Sequence, residues 1–222
     1  MRVSSPAAPR RTTQVTKETR GLILAAAETE FAARGFATAR LADIAERVGI
    51  TRAAIIYHFR DKKALYEAVL EAAFEPLSEQ IQASVTLPGS NLEQIERVIH
   101  AWFDYATERP ALGRLFIREV ASSEDTLRPE IEHLITPMYT AFLNAIEQGQ
   151  RDGEFRPISA LHVANILSGA AIWLTSGAHL TGGQELESPA ERFAQYRQEL
   201  AGVAHHLLGI RPQDEPDERN HA

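Results

Sequence analysis

The chain has no cysteine among its 222 residues, which excludes disulfides, thiolate nucleophiles and cysteine-ligated zinc. It also has no apolar run close to the roughly 20 residues that span a bilayer. Residues 1–20 lack the apolar core of a secretory signal. We therefore expect a cytoplasmic protein without a membrane partner. Its length and its 44% hydrophobic composition suffice for a buried core in one or two domains.

Positive charge is also scarce: 23 lysines and arginines stand against 30 aspartates and glutamates, and the net charge is −7. The two signs are unevenly distributed along the chain. Residues 1–74 carry 12 basic and 8 acidic residues, whereas residues 75–222 carry 11 and 22. Because such an asymmetry is typical of proteins in which the basic part contacts nucleic acid, the first third is the candidate DNA-binding part.

Apolar residues recur with helical spacing along most of the chain, and no stretch alternates in the manner of a strand. The first helix is predicted from about Lys17 to a stop at Gly35. Breaks that contain proline or glycine separate the later helices. These are predicted at about residues 62–84, 91–107, 110–122, 128–150, 159–180 and 189–208. The composition of residues 1–16 predicts a flexible basic arm, and that of residues 211–222 predicts a disordered tail.

Two short helices are predicted within residues 41–63. LADIAERVG (41–49) has apolar residues spaced three, four and seven apart and ends at Gly49, which is suited to the left-handed conformation that terminates a helix. Thr51 can cap the next helix through its hydroxyl. Ala45 is small enough for the two helices to touch. This is the layout of a helix-turn-helix, whose second helix enters the major groove of DNA.

The second helix has an outer side if Ile55 and Phe59 face the core. The residues on that side are Arg52, Ala53, Ile56 and Tyr57. An arginine can donate two hydrogen bonds to guanine, an alanine permits close approach, and an isoleucine can contact a thymine methyl. Beyond them, Tyr57, His58 and Lys62 suit phosphate oxygens. Plain packing is the alternative, since amphipathic helix pairs joined by a glycine turn are common in all-α proteins.

Several motifs together resemble the TetR family of bacterial transcriptional regulators. They are the first helix, Gly35-Phe36, LADIAERVGI (41–50), TRAAIIYHF (51–59) and Lys62-Lys63-Ala64-Leu65-Tyr66. The resemblance implies a DNA-binding domain at 17–63 and a helical domain at 64–210 that binds an effector and dimerises through the last two long helices. It also implies that Thr51, Arg52 and Ala53 contact bases or nearby backbone. Tyr57 and His58 would contact the DNA backbone, and Lys62 a phosphate.

Two positions depart from the family pattern. Ile56 stands where the family often has an aromatic residue, usually tyrosine, and this could alter operator preference. Ala39 stands where a threonine is usual before the second helix, and Thr38 or Arg40 could compensate; Arg40 is therefore a candidate DNA contact. The basic arm is a further candidate, because arms of other DNA-binding domains follow the minor groove. A solubilising tail is the alternative for the arm.

Large apolar residues of the second domain could line an effector cavity, although core packing is the alternative for each of them. The candidates are Trp102, Phe103, Phe116, Met138, Phe142 and Trp173. The histidines lack the spacing of a metal site, and no phosphate-binding loop or nucleophile elbow is present. We therefore predict no metal, no cofactor and no enzymatic activity.

The sequence thus predicts an all-α protein with an N-terminal three-helix helix-turn-helix domain and a larger C-terminal helical bundle. Our first hypothesis is a dimeric repressor on a pseudo-palindromic double-stranded DNA operator in the nucleoid, released by a small apolar or amphipathic effector. One alternative is a helical small-molecule-binding or interaction module whose helix-turn-helix is only architectural. Another is a DNA-binding regulator that needs no effector.

Overall fold

The computed structural model describes residues 10–122, 129–177 and 188–209, and these residues form helices without any strand. The helices in these ranges are α1 (Arg10–Thr38), α2 (Leu41–Val48), α3 (Arg52–Phe59), α4 (Lys62–Thr86), α5 (Asn91–Glu108), α6 (Leu112–Ser122), α7 (Pro129–Arg151), α8 (Ala160–Thr175) and α9 (Pro189–Leu208). The predicted all-α class is therefore confirmed.

Helix ends differ most from the predictions at the start of α1 and at the end of α8. Helix α1 begins at Arg10, before the start expected at Lys17, because no proline or glycine interrupts the segment from Arg10 to Lys17. Helix α8 ends at Thr175 instead of continuing to residue 180, because Gly177 adopts a φ of 72° that a helix cannot accommodate. Residues 1–9 of the predicted arm and the predicted tail at 211–222 lie outside the described residues.

The first three helices and the start of α4 share a core. Its centre is made of side chains with no exposed surface, one or two from each helix: Ile23 and Phe31 of α1, Ile44 of α2, Ile55 of α3 and Leu65 of α4. Gly35 adopts a φ of 75° and a ψ of 166°, and this kink near the end of α1 turns the chain towards α2.

Helix α4 connects this core to the second group of helices. It packs mainly against α7 and α5, and its first half also packs against α1. Helices α5 and α8 both pack against α7 and α9, and α6 lies between α1 and α8. In the described residues no helix is both long and apolar enough to cross a membrane, and no group of three His, Asp or Glu residues is placed to hold a metal ion.

Candidate functional site

The turn between α2 and α3 is fixed by Gly49, which has a φ of 75° and a ψ of 30°. Its N–H donates to the carbonyl of Glu46 at 3.1 Å, and the N–H of Ile50 donates to the carbonyl of Ala45 at 3.0 Å. These two hydrogen bonds satisfy carbonyls at the end of α2 in the manner of a Schellman motif. The sequence therefore sets a short, rigid connection between the two helices.

Helix α3 buries one side and exposes the other. The Thr51 hydroxyl accepts a hydrogen bond from the Ala54 N–H at 3.2 Å and so caps the helix. Ile55 is fully buried and Phe59 is 5% exposed. On the opposite side Tyr57 is 81% exposed and Ile56 is 37% exposed. Arg52 and Ala53 are exposed on the same side, so α3 presents the outer face that the sequence predicts.

The connection between α3 and α4 is equally tight. Arg60 adopts a φ of 61° and a ψ of −55°, and the N–H of Asp61 donates to the carbonyl of Phe59 at 2.6 Å, which makes a γ-turn. The Asp61 carboxylate caps α4 by accepting from the Ala64 N–H at 2.8 Å. This hydrogen bond, together with the one from the Arg60 side chain, lowers the pKa of Asp61. The Asp61 carboxylate therefore stays ionised at neutral pH and keeps the start of α4 capped directly after the end of α3.

The other predicted DNA contacts lie around α3 in different environments. Arg40, Arg52, Ile56 and Lys62 border one shallow surface depression. The Lys62 ammonium group donates to the carbonyl of Ala37 at 3.1 Å and lies 4.8 Å from the centre of the Phe36 ring. His58 is half-buried, with its ring edge-on to that of Tyr57. Arg40 does not cap α2 through its side chain, which remains exposed to solvent.

Two further arginines lie near this surface, and the sequence prediction missed the first of them. The Arg60 side chain is 84% exposed at the end of α3. The guanidinium of Arg20 lies 4.9 Å from the centre of the Phe59 ring and so sets a positive charge of α1 beside α3. The position of Arg60 directly after the predicted helix could have indicated that it lies near the exposed face of α3. The approach of Arg20 to α3 depends on the tertiary packing.

A cavity of about 320 Å³ lies inside the second group of helices, between α4, α5, α6, α7 and α8. Four of the six residues predicted for an effector cavity line it: Trp102, Phe116, Met138 and Phe142. Phe103 and Trp173 are not among the lining residues. Phe103 follows Trp102 on the helix, points to another side and packs against Phe193 of α9, with ring centres 6.3 Å apart. Trp173 is 45% exposed on the outside of α8.

Three of the four polar side chains on the cavity wall donate hydrogen bonds within the protein, and the fourth, Thr136, is exposed to solvent. The Trp102 indole N–H donates to Ala171 and Thr175 of α8. The Ser168 hydroxyl donates to the carbonyl of Ala164 at 2.6 Å, and the Tyr139 hydroxyl donates to the Asn165 side chain at 2.7 Å. Burial also raises the pKa of Tyr139, so its hydroxyl stays neutral. The wall is therefore apolar in character.

Helix α6 joins this cavity to α1. Phe116 lines the cavity, and two residues later Arg118 donates hydrogen bonds to the carbonyls of Ala32 at 2.8 Å and Ala33 at 2.6 Å. These carbonyls belong to the last turn of α1 before the kink at Gly35. Glu119, which is 1% exposed, accepts a hydrogen bond from the hydroxyl of Tyr66 in α4. A displacement of α6 at the cavity would thus be transmitted to both α1 and α4.

A second junction joins α1, α4 and α5 around Arg109. Pro76 lies inside α4 and has no N–H to donate to the carbonyl of Ala72 one turn earlier. Arg109 donates to that carbonyl instead. The same guanidinium forms an ion pair with Glu28 of α1, a residue that is 8% exposed. One side chain therefore satisfies both a buried carboxylate and the backbone acceptor left by the proline.

We expect Ile56→Tyr to change operator preference without destabilising the protein. Because the Ile56 side chain is partly exposed on α3, a tyrosine ring can extend from the surface, and we expect a stability change within about 0.5 kcal/mol. A new base or phosphate contact would alter relative affinities by about tenfold. Binding-site selection from randomised DNA measures this effect. The control is Leu87→Tyr at an exposed site beyond α4; identical preferences for all three proteins would contradict a reading role for position 56.

Both parts of the chain match models of known protein families. A model described as bacterial regulatory proteins, tetR family, matches residues 23–69. A second, described as a tetracyclin repressor-like C-terminal domain, matches residues 88–200. The solved structure of the ketosteroid transcriptional regulator KstR2 of Mycobacterium tuberculosis has the same fold, with a TM-score of 0.67 at 20% identity, covering 91% of this chain and 98% of that one.

Curated relatives agree with these matches. The HTH-type transcriptional regulator TtgR of Pseudomonas putida is 45% identical over 75 residues, which are 34% of this chain; the match spans only 36% of the length of TtgR. The HTH-type transcriptional repressor BepR of Brucella suis biovar 1 is 31% identical over 151 residues, covering 65% of this chain and 72% of BepR. The resemblance seen in the sequence is confirmed, and the chain belongs to the TetR family of bacterial transcriptional regulators.

Proposed function

We propose that the protein is a dimeric, sequence-specific DNA-binding regulator in the bacterial cytoplasm, and that it is a repressor released from its operator by a small molecule. The exposed face of α3 carries this proposal. Arg52, Ala53, Ile56 and Tyr57 face solvent while Ile55 and Phe59 anchor the helix. This face suits the major groove of DNA. The guanidinium, the small side chain and the apolar side chain suit base edges, and the phenol suits a phosphate.

Solvent-exposed apolar side chains on α8 and α9 support the dimer. Leu161, Ile166 and Trp173 are 51%, 52% and 45% exposed on α8, and Val203 is 44% exposed on α9. Gly169 and Gly202 lie on the same helices, and nothing would contact a Cβ atom at either position. A second copy packed against this surface would bury these side chains and approach closely at the glycines. Two-fold symmetry would then present two copies of α3 to a pseudo-palindromic operator.

The route from effector to DNA is proposed to run through α6. An effector in the cavity would contact Phe116, and Arg118 would transmit a movement of α6 to the last turn of α1. Because α1 packs on α2 and α4, the two α3 helices of a dimer would change their separation. An effector that binds this arrangement better than the DNA-bound one shifts the population away from the operator.

Gel-shift titration with the DNA upstream of the protein's own gene tests the function. We expect a specific complex that survives excess unrelated DNA at moderate salt and weakens steeply as salt rises, since phosphate contacts release counterions. A fragment with shuffled sequence is the control. Equal binding to both fragments, or none to either, would contradict operator binding and favour a helical module with an architectural helix-turn-helix.

A further inference from the structure

We infer that the cavity selects an uncharged ligand and rejects organic anions and cations of the same size. This inference rests on the proposed function in taking the cavity as the effector site, but it concerns only which chemistry the cavity accepts. It follows from the absence of charged side chains on the cavity wall and from the hydrogen bonds that its polar groups make within the protein. None of the side chains that line the cavity carries a charge, either basic or acidic.

Beyond the Thr136 hydroxyl at the exposed edge, an anion would find no free hydrogen-bond donor to replace its water. The three donors on the wall with defined partners are the Trp102 indole and the hydroxyls of Ser168 and Tyr139, and each donates to an acceptor of α8. A carboxylate buried beyond Thr136 would have to break one of these hydrogen bonds or remain unsolvated. Since transfer of an unpaired carboxylate from water into an apolar site is strongly unfavourable, anions are excluded.

A cation would find aromatic faces but no carboxylate. Trp102, Phe116, Tyr139 and Phe142 contribute rings to the wall, and a ring face attracts an ammonium group. That attraction is smaller than the cost of removing an ammonium group from water into such a site. Cations are therefore disfavoured too, although less strongly than anions. An uncharged molecule keeps the full benefit of burying its apolar surface.

The cavity has a natural mouth at Thr136. This residue of α7 is exposed and belongs both to the cavity wall and to an open polar groove on the outside of α4 and α7. A polar group of the ligand would lie here, near solvent. Thr136 is itself uncharged and offers no counterion to an ionised group, whereas the groove outside is also lined by Glu147 and Arg151.

The test compares octanol, octanoate and octylammonium, which share one alkyl chain and differ in charge. The chain has two tryptophans, so Trp173→Phe leaves Trp102 as a fluorescent reporter on the cavity wall. We expect octanol to change the Trp102 emission with an affinity at least about tenfold higher than that of either ion. Affinity for octanoate or octylammonium within threefold of that for octanol would overturn the inference.

A charge placed at the mouth should remove most of the selectivity against octanoate. We expect Thr136→Lys in the same background to raise the octanoate affinity by about tenfold, because the new ammonium group supplies the missing partner. Thr86→Lys adds the same charge to the outer groove, away from the cavity wall, and should leave all three affinities unchanged. An equal gain from both variants would show a general charge effect and contradict selection by the wall.

Gel-shift measurements separate this inference from the proposed function. If no probe binds Trp173→Phe while the wild-type protein forms the specific operator complex, the inference fails and DNA binding stands. Operator binding is measured on the wild-type protein because Trp173 belongs to the proposed dimer surface. If octanol binds selectively but no operator complex forms, the cavity chemistry stands and the regulatory role fails.

Discussion

Replacement of both Arg52 and Tyr57 by alanine is expected to lower operator affinity by roughly a hundredfold or more. Each side chain lies exposed on the outer face of α3, and each base or phosphate contact of this kind contributes about 1–3 kcal/mol. A dimer loses every such contact twice. Fluorescence anisotropy with labelled operator DNA at fixed salt measures the change. Because neither side chain is buried, the melting temperature and the oligomeric state should be preserved.

The matched control for this loss is Arg197→Ala. Arg197 is a partly exposed arginine of α9 that pairs with Asp104 on the surface, far along the chain from α3. Its removal also lowers the positive charge by one, so a general electrostatic effect would weaken both proteins similarly. Unchanged operator affinity in the Arg52/Tyr57 double variant, with fold and dimer intact, would favour the interaction module over the regulator.

Arg109→Ala is expected to destabilise the protein by about 2–3 kcal/mol. The substitution leaves the carboxylate of Glu28 buried without its cation and the carbonyl of Ala72 without a donor. A fully buried pair would lose more, but the Arg109 side chain is 25% exposed, so water replaces part of the interaction. Urea denaturation followed by circular dichroism measures the free energy of unfolding. The surface pair removed by Arg197→Ala should contribute less than about 1 kcal/mol.

A double-mutant cycle with Pro76→Ala tests the reason for this loss. An alanine at position 76 has an N–H that can donate to the carbonyl of Ala72, so it replaces part of what Arg109 provides. We therefore expect Pro76→Ala to stabilise the Arg109→Ala variant more than it stabilises the wild-type protein. Equal effects in both backgrounds would show that the proline and the arginine act independently.

Local signals were sufficient for much of the fold and for the exposed face of α3. Gly49 and Thr51 define the turn and the cap between α2 and α3, because left-handed backbone and N-capping depend on the residue itself. The spacing of Ile55 and Phe59 then decides which side of α3 is buried, and hence which residues are exposed. The breaks between helices in the second domain were predicted for the same reason, since proline and glycine interrupt a helix within a few residues of their own position.

Contacts between distant segments could not be predicted from the sequence. Trp102 and Phe103 are adjacent, large and aromatic, yet only Trp102 lines the cavity, because the packing of α5 against α7, α8 and α9 decides which side of α5 faces it. The pairing of Arg109 with Glu28 crosses 81 residues of chain. Neither residue has a local feature that marks it as a partner of the other.

The sequence by itself determined the all-α class, the helix-turn-helix with its exposed face, and membership of the TetR family, since each depends on short-range spacing and on capping residues. Only the tertiary structure decided the cavity, its uncharged wall, and the contacts of α6 and Arg109 with α1. These features arise where helices far apart in sequence pack together, and the side of each helix that faces its neighbours is set by the whole bundle.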